Sequence, residues 1–153
     1  MKKFFQIILG ISFLFLLVGC SSQETATLIN KSDGFGRTLI YTYDKEKDIV
    51  TKFKIESTAS AEVSEPREEN QKLFDAVKGM DGVVTSMTEK EGKLIATVEI
   101  DLKKIKWSTI KKSDNILLFG LAQSSFLIGE DDDASFSRSK KAAEILGFTE
   151  QKK

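Results

Sequence analysis

Cys20 carries the one thiol of a chain that contains no histidine. Those two facts settle most of the chemistry open to it. Without imidazole there is no Ser-His or Cys-His pair, no HExxH zinc site, and no side chain that ordinarily titrates near neutrality. Neither a Gly-x-Ser-x-Gly elbow nor a phosphate-cradling P-loop occurs. Acid–base work would fall to paired carboxylates, and among 23 Asp and Glu residues coincidental pairs are expected. Nothing assembles a nucleophile, a base and a charge-stabilising group. No catalytic residue is therefore assigned, and the chain reads as a non-enzyme.

The acidic run Glu130-Asp131-Asp132-Asp133 offers the hard oxygen ligands that calcium prefers. Counted from Asp131, however, the sixth position is Phe136 where an EF-hand loop needs Gly. The twelfth is Ala142 where it needs Glu. No metal site or cofactor is expected, and a calcium-dependent module is the third-ranked function. A plainer reading places these carboxylates ahead of a helix, where they complement its positive end and one can cap it.

Two clusters are suited to holding a partner. Lys103, Lys104, Lys106, Lys111 and Lys112 surround the lone Trp107, either as a membrane-surface patch or as a solvated face over a core tryptophan. The balanced overall charge favours the second. Ile116 to Ile128 is the most apolar part of the chain after its beginning, yet too short and interrupted to span a bilayer. It either covers the core, the commoner outcome, or forms an exposed apolar binding surface. Phe119, Leu121, Phe126 and Trp107 are the candidate ligand-binding residues.

The beginning of the chain says where these clusters would work. Met1-Lys2-Lys3 is positive and Phe4 to Val18 is almost wholly apolar. Leu17-Val18-Gly19-Cys20 then gives way to polar Ser21-Ser22-Gln23. This is the form of a secretory signal, and the apolar run is shorter than the ~20 residues a membrane span needs. The Leu-Val-Gly-Cys ending resembles the lipobox of bacterial lipoproteins, in which the thiol receives a diacylglyceryl group and cleavage falls between Gly19 and Cys20. Two acyl chains anchor a protein stably where one does not. The expected organisation is a signal peptide over 1–19, a lipidated tether over 20–25 and a single domain over 26–150. That domain would be held at the cell membrane on its extracytoplasmic side (at an outer membrane, if the source has one).

Cleavage removes Lys2 and Lys3 from a balanced 23 basic and 23 acidic residues, leaving the remaining chain slightly acidic. No basic excess exists to neutralise phosphates, so no nucleic-acid partner is expected. With Cys20 the only cysteine, the domain has no internal disulfide and rests on its hydrophobic core.

The pattern predicts strands over Thr25–Lys31, Arg37–Tyr43 and Ile49–Ser57. In the last, Ile49, Phe53 and Ile55 lie on one face and Lys52, Lys54 and Glu56 on the other. Pro66 opens a helix, capped by Ser64 or Glu65, whose apolar stripe is Leu73, Phe74, Val77 and Met80. A hairpin follows, Val83–Glu89 and Lys93–Leu102, with Leu94, Ala96, Val98, Ile100 and Leu102 facing inward. A last helix over Ser135–Leu146 ends at Gly147, with Phe148 folding back on it. The fold class is α+β: an antiparallel sheet of about five strands with two helices packed on one face.

On several of these pieces the chain is similar to the YehR family of small uncharacterised bacterial lipoproteins. They are Gly19-Cys20, the hairpin from Tyr41-Thr-Tyr-Asp to Ile49-Val, Gly82-Val83, Val98-Glu-Ile-Asp-Leu102 and Ala142-Ala-Glu-Ile-Leu-Gly-Phe148. The resemblance implies a common α+β fold and an envelope location, and carries over no catalytic or binding residue. The expected function is a non-catalytic binding module for an envelope protein, a peptide or a small apolar ligand at the membrane surface. The alternative is an accessory enzyme using carboxylates on cell-wall or lipid substrates.

Overall fold

The computed structural model describes residues 22–32, 34–61 and 65–152. The expected lipidation and cleavage residues, Cys20 and Gly19, lie outside the described residues, as does Ser64 of the expected helix cap.

Five long strands form the body of an antiparallel sheet: β1 (Gln23–Ser32), β2 (Phe35–Asp44), β3 (Ile49–Ser60), β4 (Val83–Lys90) and β5 (Lys93–Asp101). Their spatial order is β4-β5-β3-β2-β1. Three short strands bring the total among the described residues to eight, so the expectation of about five is corrected upward. The additions are β6 (Ile128–Glu130), β7 (Asp133–Ser135) and β8 (Thr149–Glu150). Each is two or three residues long, too short to show the period-two pattern from which strands are read.

The register explains the core. Ala26, Tyr41, Phe53, Ile100 and Val83 lie side by side across the sheet, and Leu28, Leu39, Ile55 and Val98 form the next row. Burying such rows on one face is what fixes strand register, because a one-residue slip would turn them all to water. The opposite face carries Thr27, Ile40, Lys54, Glu99 and the exposed Val84 in one row and mixes polar with apolar residues, with Lys52 reaching Glu99 at 3.1 Å.

In β3 the inward residue near the start is Val50, not Ile49. The register shifts between Thr42 and Tyr43, so that Tyr43 faces Val50 while Thr42 faces Lys52 and Thr51 is the extra residue. Such a bulge reverses the alternation beyond it, which explains the corrected face. Strand β1 also starts at Gln23, inside the stretch expected to be tether. Gln23 to Thr25 pair with Thr42 to Asp44, and Glu24 meets Lys45 at 2.8 Å.

Four helices, rather than two, accompany the sheet among the described residues: α1 (Glu65–Asp75), α2 (Trp107–Lys111), α3 (Ile116–Gln123) and α4 (Phe136–Ile145). Residues from beyond α1 and from α2, α3 and α4 (Val77, Ile110, Leu118, Ala143) join the inward sheet residues in one hydrophobic cluster. α2 and α3 come from the ambiguous lysine-rich and apolar stretches, where short length hid their period. The hairpin of β4 and β5 turns on Glu91 and Gly92, both at positive φ, as a two-residue turn matching strand twist requires. Gly147 ends α4 at φ +86°, and Phe148 is buried against Phe126 with ring centroids 5.5 Å apart.

Candidate functional site

The stretch from Ile116 to Ile128 becomes helix α3 followed by a bend. Asn115 starts it: its side-chain oxygen accepts from the backbone N–H groups of Leu117 and Leu118 at 3.0 and 3.3 Å. Its amide donates to the Ala76 carbonyl at 2.9 Å, joining the start of α3 to the end of α1. Farther on, the buried Tyr41 hydroxyl donates to the Phe126 carbonyl at 2.7 Å. Burial pushes the Tyr41 pKa well above the ordinary phenol value, so this hydroxyl stays a donor through the neutral range.

Between those two ties the helix is apolar on both flanks but buries only one. Leu118 is 1% exposed and Leu121 8%, while Ile116 and Phe119 on the other side are 66% and 52% exposed. The stretch is thus core on one flank and open on the other, where sequence reasoning offered these as alternatives.

A groove of about 310 Å³ lies between α1 and α3. Ile55, Ser57 and Val98 form its sheet side, Leu73 and Phe74 come from α1, and Leu117, Gly120 and Leu121 from α3. Phe126 and Arg37 also line it. A Cβ added to Gly120 would meet nothing within 4 Å, so the absent side chain leaves open space beside the helix. Other clefts among the described residues are more polar in character. One of about 350 Å³ sits among the strand turns between Lys31 and Lys93, and another of about 450 Å³ lies around Gly82 and Lys104.

The sequence candidates are distributed unevenly. Leu121 and Phe126 line the groove. Phe119 is exposed on α3 outside that lining. Trp107 is 2% exposed in the core and lies outside the lining too, with its buried indole N–H lacking an acceptor among the described residues. Leu73 and Phe74 were legible only as a helix stripe, and Arg37 only as the first residue of a strand.

The charged clusters have structural work. Lys104 meets Asp81 at 2.8 Å, and Lys106 pairs with Asp132, which Ser108 also contacts. Asp131 and Asp132 form the turn of the β6–β7 hairpin rather than the approach to a helix, which corrects that expectation. The cap of α4 is Ser135, which accepts from the Arg138 N–H. Asp48 assists it from the β2–β3 turn, accepting from the Ser137 N–H at 2.8 Å and the Ser137 hydroxyl at 2.7 Å. Among the described residues no group of three or more Asp, Glu, Cys and His is placed to hold a metal ion, and no helix is long and apolar enough to cross a membrane.

No family model matches the chain. An uncharacterised lipoprotein of Listeria monocytogenes is 33% identical over 105 residues, spanning 63% of this chain and 67% of the relative. The solution structure of Escherichia coli YehR superposes with a TM-score of 0.63 at 16% identity, covering 86% of this chain and 92% of YehR. A protein from Streptococcus pneumoniae TIGR4 gives a TM-score of 0.59, also at 16% identity, over 86% of this chain and 87% of its own. At that identity the two solved structures speak to the fold.

Proposed function

The chain belongs to the YehR-like family of lipoproteins, and from that premise we propose that it is a non-catalytic binding protein, held at the extracytoplasmic membrane surface through lipid on Cys20. The observation that carries the binding reading is the groove between α1 and α3. Its volume of about 310 Å³ falls at the lower end of the ~300–1,000 Å³ usual for small-molecule sites. Its lining is mostly aliphatic and aromatic, and Ile116, part of that lining, is left largely exposed. A concave, mostly apolar lining with a few polar groups is the usual form of a ligand site. No carboxylate lines the groove among the described residues, so the alternative of a carboxylate-dependent enzyme lacks an acid–base pair there.

Gly120 gives the test. Gly120→Leu places a side chain in the open space without a backbone penalty, and removing a helical glycine contributes up to about 1 kcal/mol of stability. An uncharged apolar dye titrated into the chain from Ser21 onward is expected to bind saturably. In Gly120→Leu its affinity falls at least tenfold while the melting temperature holds or rises. Equal dye binding by the two proteins would remove the groove as the site.

A further inference from the structure

Of the chain's three arginines, two are spoken for: Arg67 meets Glu89 and Arg138 meets Glu130, each at 2.7 Å. Arg37 differs. Among the described residues it is the one ionised group lining the groove. Its guanidinium lies 5.0 Å from the Phe35 ring centroid and 6.0 Å from that of Phe126, and among the described residues it makes no ion pair or hydrogen bond. Phe126 and Arg37 both belong to the groove lining, so the exposed cation stands at the mouth of the apolar channel.

We propose that the groove takes a single-chain carboxylate amphiphile, its hydrocarbon against Leu73, Leu117 and Leu121 and its carboxylate on Arg37. The inference rests on the binding reading above and adds the ligand class. Stacking on aromatic faces holds a guanidinium plane while leaving its edge to donate, and that planar fork matches a carboxylate with two parallel hydrogen bonds. Apolar walls beside the pair strengthen it by lowering the local dielectric. Among the described residues no other charge lines the groove, which gives the head group one place to go, and the volume of about 310 Å³ suits one chain rather than two.

The experiment uses the full chain in nanodiscs of zwitterionic phosphatidylcholine, which has no net charge. Dodecanoic acid and dodecanol, each carrying a mid-chain diazirine, are photo-crosslinked and the adducts mapped by mass spectrometry to residues 67–78 and 116–126. Because Arg37 is exposed, its substitution leaves the core intact. The acid is expected to label both segments saturably. Arg37→Gln lowers that labelling at least tenfold, Arg37→Lys lowers it less, and the alcohol changes by less than twofold across all three proteins. If Arg37→Gln leaves acid labelling unchanged, or lowers acid and alcohol alike, the head-group inference is overturned while the groove reading stands. If neither probe labels the groove, both fall together.

Discussion

Helices α3 and α4 lie against the same core and are held in opposite ways. α4 is polar in sequence and tied by directional bonds. Asp48 and Ser135 hold its start, the Ser139 hydroxyl donates to the Ser135 carbonyl at 2.6 Å, and Asn30 donates to the Leu146 carbonyl at 3.2 Å. Lys140 adds a 2.6 Å contact to Glu150. α3 is apolar in sequence, and Asn115 supplies its N-terminal polar tie. Burial has no direction, so one flank of α3 can satisfy it while the other stays open beside α1. The difference shows how an apolar segment can serve core and groove together: its second face needs no partner of its own to keep the helix in place.

The largest expected effect tests the two flanks of α3 against each other. Leu118→Ala opens a cavity at a residue 1% exposed and should cost about 2–5 kcal/mol in denaturant unfolding. Phe119→Ala, one position on but 52% exposed, should stay within about 0.5 kcal/mol. Similar losses for both variants would mean that Phe119 packs as core and that the two-flank description is wrong.

What could be read beforehand follows the same division between pattern and placement. The strands β2 and β5 and the helix α4 carry a regular period or an end signal such as Gly147, and each is legible from residues close in sequence. The hairpin turn at Glu91-Gly92 is legible for the same reason. The bulge at Thr51 is not, because it depends on pairing with β2 rather than on local composition. The candidate site was legible in part. Hydrophobicity singled out Leu121 and Phe126, but it cannot say which flank of a wholly apolar helix faces inward. It also drew in Trp107, whose composition suits an interface and whose position is core. Arg37 carries no local mark at all. Its significance arises from Phe35, Phe126 and α1 meeting in space.

The next effect falls on α4 and is electrostatic. Burial pushes the Asp48 carboxyl up, but hydrogen bonds from Ser135 and Ser137 outweigh it and hold the pKa below the ordinary carboxylate value. A carboxyl whose pKa is depressed by folding contributes stability that is full above its unfolded pKa. That contribution is lost as pH falls through the folded value. Asp48→Asn keeps the positive φ of 56° comfortable, since Asn tolerates that conformation, while removing the charge. It should cost about 1–2 kcal/mol at neutral pH, as lost charge-assisted hydrogen bonds do. The gap to wild type should then narrow below the ordinary carboxylate range. A gap that stays constant from neutral to acid pH would show that Asp48 does not clamp α4 as a carboxylate.

The smallest effect concerns Asn115, which does two things from one side chain. Its oxygen caps α3 and its amide N–H holds the Ala76 carbonyl. Asn115→Ala removes both and should cost about 1 kcal/mol, within the usual range for a lost N-cap. Asn115→Asp separates them, because a carboxylate caps as well as an amide but has no proton to give Ala76. Hydrogen exchange at the Leu117 and Leu118 amides should therefore speed up in the Ala variant and stay near wild type in the Asp variant. Both variants lose the tie between α1 and α3, so both should bind an apolar dye less tightly if that tie sets the groove's width. Should the Asp variant match wild type in dye affinity as well as in exchange, the Ala76 bond is incidental. The groove would then owe its shape to Leu117 and Leu121 packing alone, and α3 would be held by burial with even less polar help than the comparison with α4 assigns to it.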